Sequence, residues 1–136
     1  MHRDLTPRNI LVEPETDTVV IADFGSAKCI RDGDKSIAYV GARSYRAPEL
    51  LFGSNSYSAA VDMWSFGCVA VELSTGCPLF QSRTTTEQIL LIMRLLGTPS
   101  LTEVMQMNGD FSMGEFQLFP KIKAKKFKDV SKRLSR

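Results

Sequence analysis

The chain has 136 residues, 43% apolar and 24% charged, a size and mix that suit one compact domain with its own core. Its net charge of +2 is uneven: residues 121–136 carry eight Lys/Arg against one Asp, so residues 1–120 hold nine basic against fourteen acidic side chains. No apolar run follows Met1-His2-Arg3-Asp4 as in a leader peptide, and the longest apolar stretch, Met63 to Leu73, is broken by Ser65 and Glu72 and too short to span a bilayer.

The chain opens on His2-Arg3-Asp4, with Asn9 five positions after the Asp. Ile10-Leu11-Val12 and Val19-Val20-Ile21 are β-branched runs around a polar Glu13–Thr18 loop, which predicts a hairpin. Such a hairpin sets Asn9 just before one strand and Asp23 just after the other, so both emerge on one side of a small platform. Asp23-Phe24-Gly25 follows, then a long aperiodic segment, 26–46, and then Ala47-Pro48-Glu49. Long loops in compact domains usually carry function.

Ser58 reads as the N-cap of an apolar helix from about Ala59 to Ser74, stopped by Gly76 and Pro78. Apolar residues cover most of its circumference, which predicts a buried central helix, with the lone Trp64 in the core. Thr84–Glu87 is a capping pattern opening an amphipathic helix with Ile89, Ile92, Met93 and Leu96 on one face, ended by Gly97 and Pro99. Ser100–Glu103 repeats the pattern for a shorter helix. From Asn108 onward the reading is loop, anchored by Phe111, Phe116, Leu118 and Phe119. The expected fold is therefore mainly α with one small β-hairpin. Cys29, Cys68 and Cys77 are an odd set without metal-ligand spacing, which points to reduced thiols and a cytoplasmic or nuclear setting. The basic end carries only Phe127 for base stacking and reads as a solvated tail, not as a specific nucleic-acid or membrane contact.

Transfer of a phosphoryl group to a hydroxyl needs a base or orienter for the alcohol, metal ions on the phosphates, and positive charge where negative charge builds up. Asp4 suits the first task. Asn9 and Asp23 suit the second, since hard oxygen ligands suit Mg²⁺. In order and spacing, His2-Arg3-Asp4 with Asn9, then Asp23-Phe24-Gly25, then Ala47-Pro48-Glu49 resemble the catalytic loop, metal-binding triplet and activation-segment anchor of eukaryotic protein kinases. The resemblance implies a protein kinase-like fold. It implies that Asp4 is catalytic, that Asn9 and Asp23 bind ATP through Mg²⁺, and that His2, Gly25, Glu49 and Asp62 are structural. Asp62 is expected to accept hydrogen bonds from the catalytic-loop backbone, and Glu49 to pair with an Arg from a later helix.

Ser26-Ala27-Lys28, Tyr39, Arg43, Phe52-Gly53, Asp62-Met63-Trp64-Ser65, Leu96–Pro99 and Phe119–Ala124 are similar to the glycogen synthase kinase (shaggy-like) family. The likeness runs from residue 2 to about 130, and residues 131–136 read as a basic tail. It implies Ser/Thr phosphorylation of protein substrates, often primed by an earlier phosphate. Arg3, Lys28 and Arg43 are then phosphate-docking residues and Tyr39 an activation-loop phosphosite. Scaffold peptides would dock on Glu87–Leu96 and Asn108–Pro120.

Two positions depart from the kinase pattern. Thr6 stands where Ser/Thr kinases carry Lys, and Ala42 where that Lys finds a Ser or Thr. Arg8 falls where many tyrosine kinases carry a compensating Arg, and is taken as a second catalytic residue. The Gly-rich loop, strand Lys and helix Glu of a kinase N-lobe are not among these 136 residues. The expectation is an incomplete C-lobe with one side of the long helix bare, and little or no activity by itself. The alternative is a non-catalytic, kinase-derived module that binds scaffolds or substrates.

Overall fold

The computed structural model describes residues 1–31 and 33–125. The expected domain end at 130 and the tail 131–136 lie outside them. The described chain is mostly helical, with one two-stranded antiparallel sheet. Strand β1 (Ile10–Glu13) pairs with β2 (Thr18–Ile21) in the register Ile10↔Ile21 to Glu13↔Thr18. The ladder continues past the strand ends, where the Ala22 N–H donates to the Asn9 carbonyl at 2.8 Å. Asn9 and Asp23 therefore leave the open end of the ribbon side by side, as the two β-branched runs predicted.

Helix α1 (Pro48–Leu51) starts with Pro at its first turn, where a missing N–H is harmless. Helix α2 (Ala60–Thr75) begins one residue later than expected; Ala59 is its N-cap, and the Ser58 hydroxyl accepts the Ala60 N–H at 3.2 Å. Gly76 closes it at φ +73°, with its N–H on the Glu72 carbonyl. Its burial is confined to one stripe, through Val61, Ser65, Cys68 and Val69. Trp64 stacks on Phe80 at 6.2 Å. Met63, Phe66 and Leu73 stand 67, 54 and 78% exposed. The expectation of burial around the whole helix is thus corrected, and the expected bare side is present.

Helix α3 (Thr85–Leu96) is capped by the Thr84 hydroxyl, which accepts the Glu87 N–H at 3.1 Å. The Glu87 carboxylate turns to the Arg83 N–H at 2.7 Å, so the capping box is only half formed. Ile89, Ile92 and Met93 are buried, but Leu96 is 55% exposed and Gln88 is fully buried in its place. The Gln88 Oε1 accepts from the Ser82 hydroxyl at 2.6 Å, which lets an amide sit in that position. Helix α4 (Leu101–Met107) has the full Ser100/Glu103 capping box. A further short helix, α5 (Met113–Gln117), lies where loop was expected, capped by Ser112. Phe111 and Phe119 pack on Phe52 at 5.2 and 5.9 Å, but Leu118 is 82% exposed and anchors nothing. The main core joins Leu51 and Phe52 to Cys68, Phe80, Met93 and Val104.

Burial, and then the neighbouring Glu72, push the Cys68 thiol up from 9.0 to about 11. Burial and the Glu72 hydrogen bond also raise Tyr45 above its ordinary 10.0. Both groups keep their protons in the folded chain after the unfolded chain has lost them. Their stabilisation is complete below pH 9 and is lost as pH rises through the folded values. Unfolding free energy from urea melts is expected to fall by up to about 2.5 kcal/mol between pH 9 and pH 11. Cys68→Ala should remove most of that decline, leaving the Tyr45 part above pH 10.

Candidate active site

The start of the chain is held by α2. The Asp62 carboxylate accepts the His2 N–H and the Arg3 N–H, both at 2.7 Å. These two charge-assisted bonds hold Arg3 at φ +69°, in the left-handed region a non-glycine residue enters only at a cost. The Asp4 N–H donates to His2 Nδ1 at 3.3 Å, so His2 Nε2 carries the hydrogen it donates to the Ala22 carbonyl at 2.9 Å. His2 is buried, with its ring edge-on to Phe24 at 5.1 Å. It ties the Arg3–Asp4 turn to the end of β2.

A 3-10 turn over Pro7–Asn9 buries Asn9. Its Nδ2 donates to the Asp4 carbonyl at 2.9 Å and approaches Asp4 Oδ2 at 3.4 Å, leaving the Asn9 Oδ1 free to meet a cation. Asp23 is also left-handed, at φ +62°, and its Oδ1 accepts the Gly25 N–H at 3.2 Å. A Cβ on Gly25 would lie 3.2 Å from that oxygen, a tight contact that would shift the Asp23 carboxylate by a few tenths of an ångström.

Asp4, Asn9 and Asp23 line one cavity of about 320 Å³ with Thr6, Pro7, Arg8, Ala42, Tyr45 and Glu72. Three carboxylates and a single guanidinium face this space, a balance that draws cations. Among the described residues, no group of three or more His, Cys, Asp and Glu side chains forms a complete metal cage. Asn9 and Asp23 instead offer the sparse oxygen set with which Mg²⁺ is usually held beside substrate phosphates. The donor set fits a nucleotide-borne Mg²⁺.

Tyr45 and Glu72 were not foreseen in this wall. The Tyr45 hydroxyl donates to Glu72 at 2.5 Å. The signal was present as the Val61, Ser65, Cys68, Glu72 spacing, which puts Glu72 on the buried stripe of α2.

The basic residues expected to dock phosphate each meet oxygens of the chain itself. Arg3 donates to the Ser26 carbonyl at 2.5 Å and to the Tyr57 hydroxyl at 3.4 Å. The Lys28 ammonium lies 2.7 Å from the Lys35 carbonyl, 2.9 Å from the Ser36 hydroxyl and 3.9 Å from Asp34. Arg43 donates to the Arg83 carbonyl at 2.7 Å. The cation beside Tyr39 is Arg46, 4.4 Å over its 73% exposed ring. Arg46 also donates to the Val40 and Gly41 carbonyls, at 2.9 and 2.6 Å. Glu49 borders a cavity of about 340 Å³ with Tyr57, Glu103 and Met107, and makes no ion pair among the described residues.

A catalytic-loop turn pinned by a helix carboxylate, beside a hairpin that presents an amide and a carboxylate to one cavity, defines a phosphoryl-transfer enzyme of the kinase class. Comparison with family models agrees: the protein kinase domain model matches residues 1–134. The chain belongs to the protein kinase domain family.

Proposed function

We propose that the chain is the catalytic-loop and activation-segment part of a protein serine/threonine kinase of the glycogen synthase kinase (shaggy-like) family, which moves the γ-phosphoryl group of ATP to protein hydroxyls. The observation that carries this reading is the shared cavity of Asp4, Asn9 and Asp23. In it Asp4 orients the acceptor hydroxyl and receives its proton. Asn9 and Asp23 hold Mg²⁺, which when bound neutralises charge on the phosphates. Arg8, the only basic side chain lining the cavity among the described residues, supplies the positive charge that Thr6 cannot. His2, Gly25, Glu49 and Asp62 are structural.

On this reading Arg3, Lys28 and Arg43 receive a priming phosphate once released from their carbonyl partners, and Tyr39 is an activation-loop phosphosite with Arg46 as its neighbour. The half-exposed Leu96 and exposed Leu118 support scaffold-peptide docking on Glu87–Leu96 and Asn108–Pro120. The free thiols support a cytoplasmic or nuclear setting. No helix among the described residues is long and apolar enough to cross a membrane.

A second reading, a non-catalytic module, is favoured by Thr6 and Ala42, which place a short hydroxyl and a methyl where a Lys bridge would stand. Incubation of the purified chain with γ-labelled ATP, Mg²⁺ and paired peptides separates the two. The kinase reading expects slow incorporation, greater into a Ser peptide carrying phosphate four residues on than into its unphosphorylated twin. Label that never exceeds the no-enzyme blank in long incubations supports the binding module.

A further inference from the structure

Asp4 needs a group to aim its carboxylate, and the usual side-chain bridge is missing at both of its ends, Thr6 and Ala42. The backbone occupies that place. The Ala42 N–H donates to Asp4 Oδ1 at 2.8 Å, across 38 residues of sequence. Among the described residues, Asp4 Oδ2 has only the long 3.4 Å approach of Asn9 Nδ2. The two oxygens are therefore unequal. Oδ1 is committed to the activation segment, while Oδ2 is left to meet a hydroxyl in the cavity.

Gly41 makes this approach possible. It sits at φ +72°, and a Cβ there would lie 2.3 Å from the Arg3 carbonyl oxygen. That oxygen belongs to the backbone pinned by Asp62, so it cannot yield as a flexible side-chain tip would. Any side chain at 41 lifts the segment away from the catalytic turn. Two further bonds hold the segment from the other side, since Arg46 donates to both the Val40 and Gly41 carbonyls.

We propose that the Ala42 amide, presented by the left-handed Gly41, is the element that orients Asp4, and that Gly41 and Ala42 are positioning residues for the acceptor step. The proposal rests on the catalytic reading of Asp4 given above. A main-chain donor does this work without a polar side chain at position 42.

Two measurements test it on the full chain. The first follows hydrogen exchange of the Ala42 amide by NMR. In Asp4→Ala that amide is expected to exchange at least about tenfold faster than in the wild type, because a lost hydrogen bond of about 1.4 kcal/mol converts to that factor. The Tyr45 amide, bonded to the Ala42 carbonyl at 3.0 Å, should not change. Equal exchange at Ala42 in the two proteins overturns the clamp.

The second measurement uses Ala42→Pro. The native φ of −70° already suits proline, and the ring Cδ takes the place of the amide hydrogen, so this variant deletes the donor and presses Asp4 Oδ1 out of its native place. A base displaced by about 1 Å costs on the order of 10–100-fold in kcat, with the acceptor KM within about threefold. Ala42→Ser keeps the N–H and should stay at least about tenfold above Ala42→Pro, by the same conversion of one hydrogen bond. Circular dichroism matching the wild type excludes unfolding as the cause. Equal losses in the Pro and Ser variants overturn the positioning role. A wild-type chain that transfers no label at all defeats the catalytic reading instead, and the exchange measurement still decides the clamp.

Discussion

Asp62→Ala is expected to lower the unfolding free energy by about 2–4 kcal/mol, since the substitution strands two backbone donors that now meet a carboxylate. His2 is buried, so its N–H has no easy route to water. The total stability of a domain this size is only on the order of 5–15 kcal/mol, so the loss is large. The effect reaches beyond stability. Arg3 is left-handed because Asp62 holds its N–H, and left-handed backbone costs about 1–2 kcal/mol in a non-glycine residue. Without the anchor the Arg3–Asp4 turn relaxes and carries Asp4 off the cavity. Urea melts would record the first effect, and exchange at the His2 and Arg3 amides the second. Asp62→Asn keeps one acceptor oxygen and should fall between the two. An Asp62→Ala chain with wild-type stability and wild-type exchange at both amides would refute the anchoring.

The second large effect concerns Asp23, just past the end of β2, to which metal binding is assigned in the proposed function. Asp23→Ala is expected to reduce any label transfer by about 10²–10³-fold, because it removes a carboxylate that would hold the Mg²⁺ needed to balance phosphate charge. Stability should change by less than about 1 kcal/mol, since the Asp23 carboxylate makes one hydrogen bond, to Gly25. The separation of the two readouts gives the test its force. A contaminating kinase would leave label incorporation untouched by Asp23→Ala. Asp62→Ala, by contrast, should depress both stability and transfer.

Much of this site could be read before any fold was known, and the reasons are local. Two β-branched runs with a polar turn between them can hardly avoid a hairpin, and the hairpin alone sets Asn9 beside Asp23. Caps at Thr84 and Ser100 announced α3 and α4 through side-chain chemistry that needs no tertiary context. Ser112 and Glu115 carried the same signal for α5, but the aromatic anchors around them read as loop. What stayed hidden depended on distant packing. Gln88 displaces Leu96 from the buried face only because Ser82 comes round to donate its hydroxyl hydrogen to the amide oxygen. Tyr45 meets Glu72 only when the activation segment lies along α2. The Ala42–Asp4 bond joins main chain to side chain across 38 residues, and no residue pattern encodes such a pairing.

The stripe of Met63, Phe66 and Leu73 along α2 carries a thermal signature of its own. Near room temperature the clustering of oily side chains is driven by released water, and it strengthens as a solution is warmed. Any association through this face is therefore expected to tighten when a solution is moved from ice to body heat.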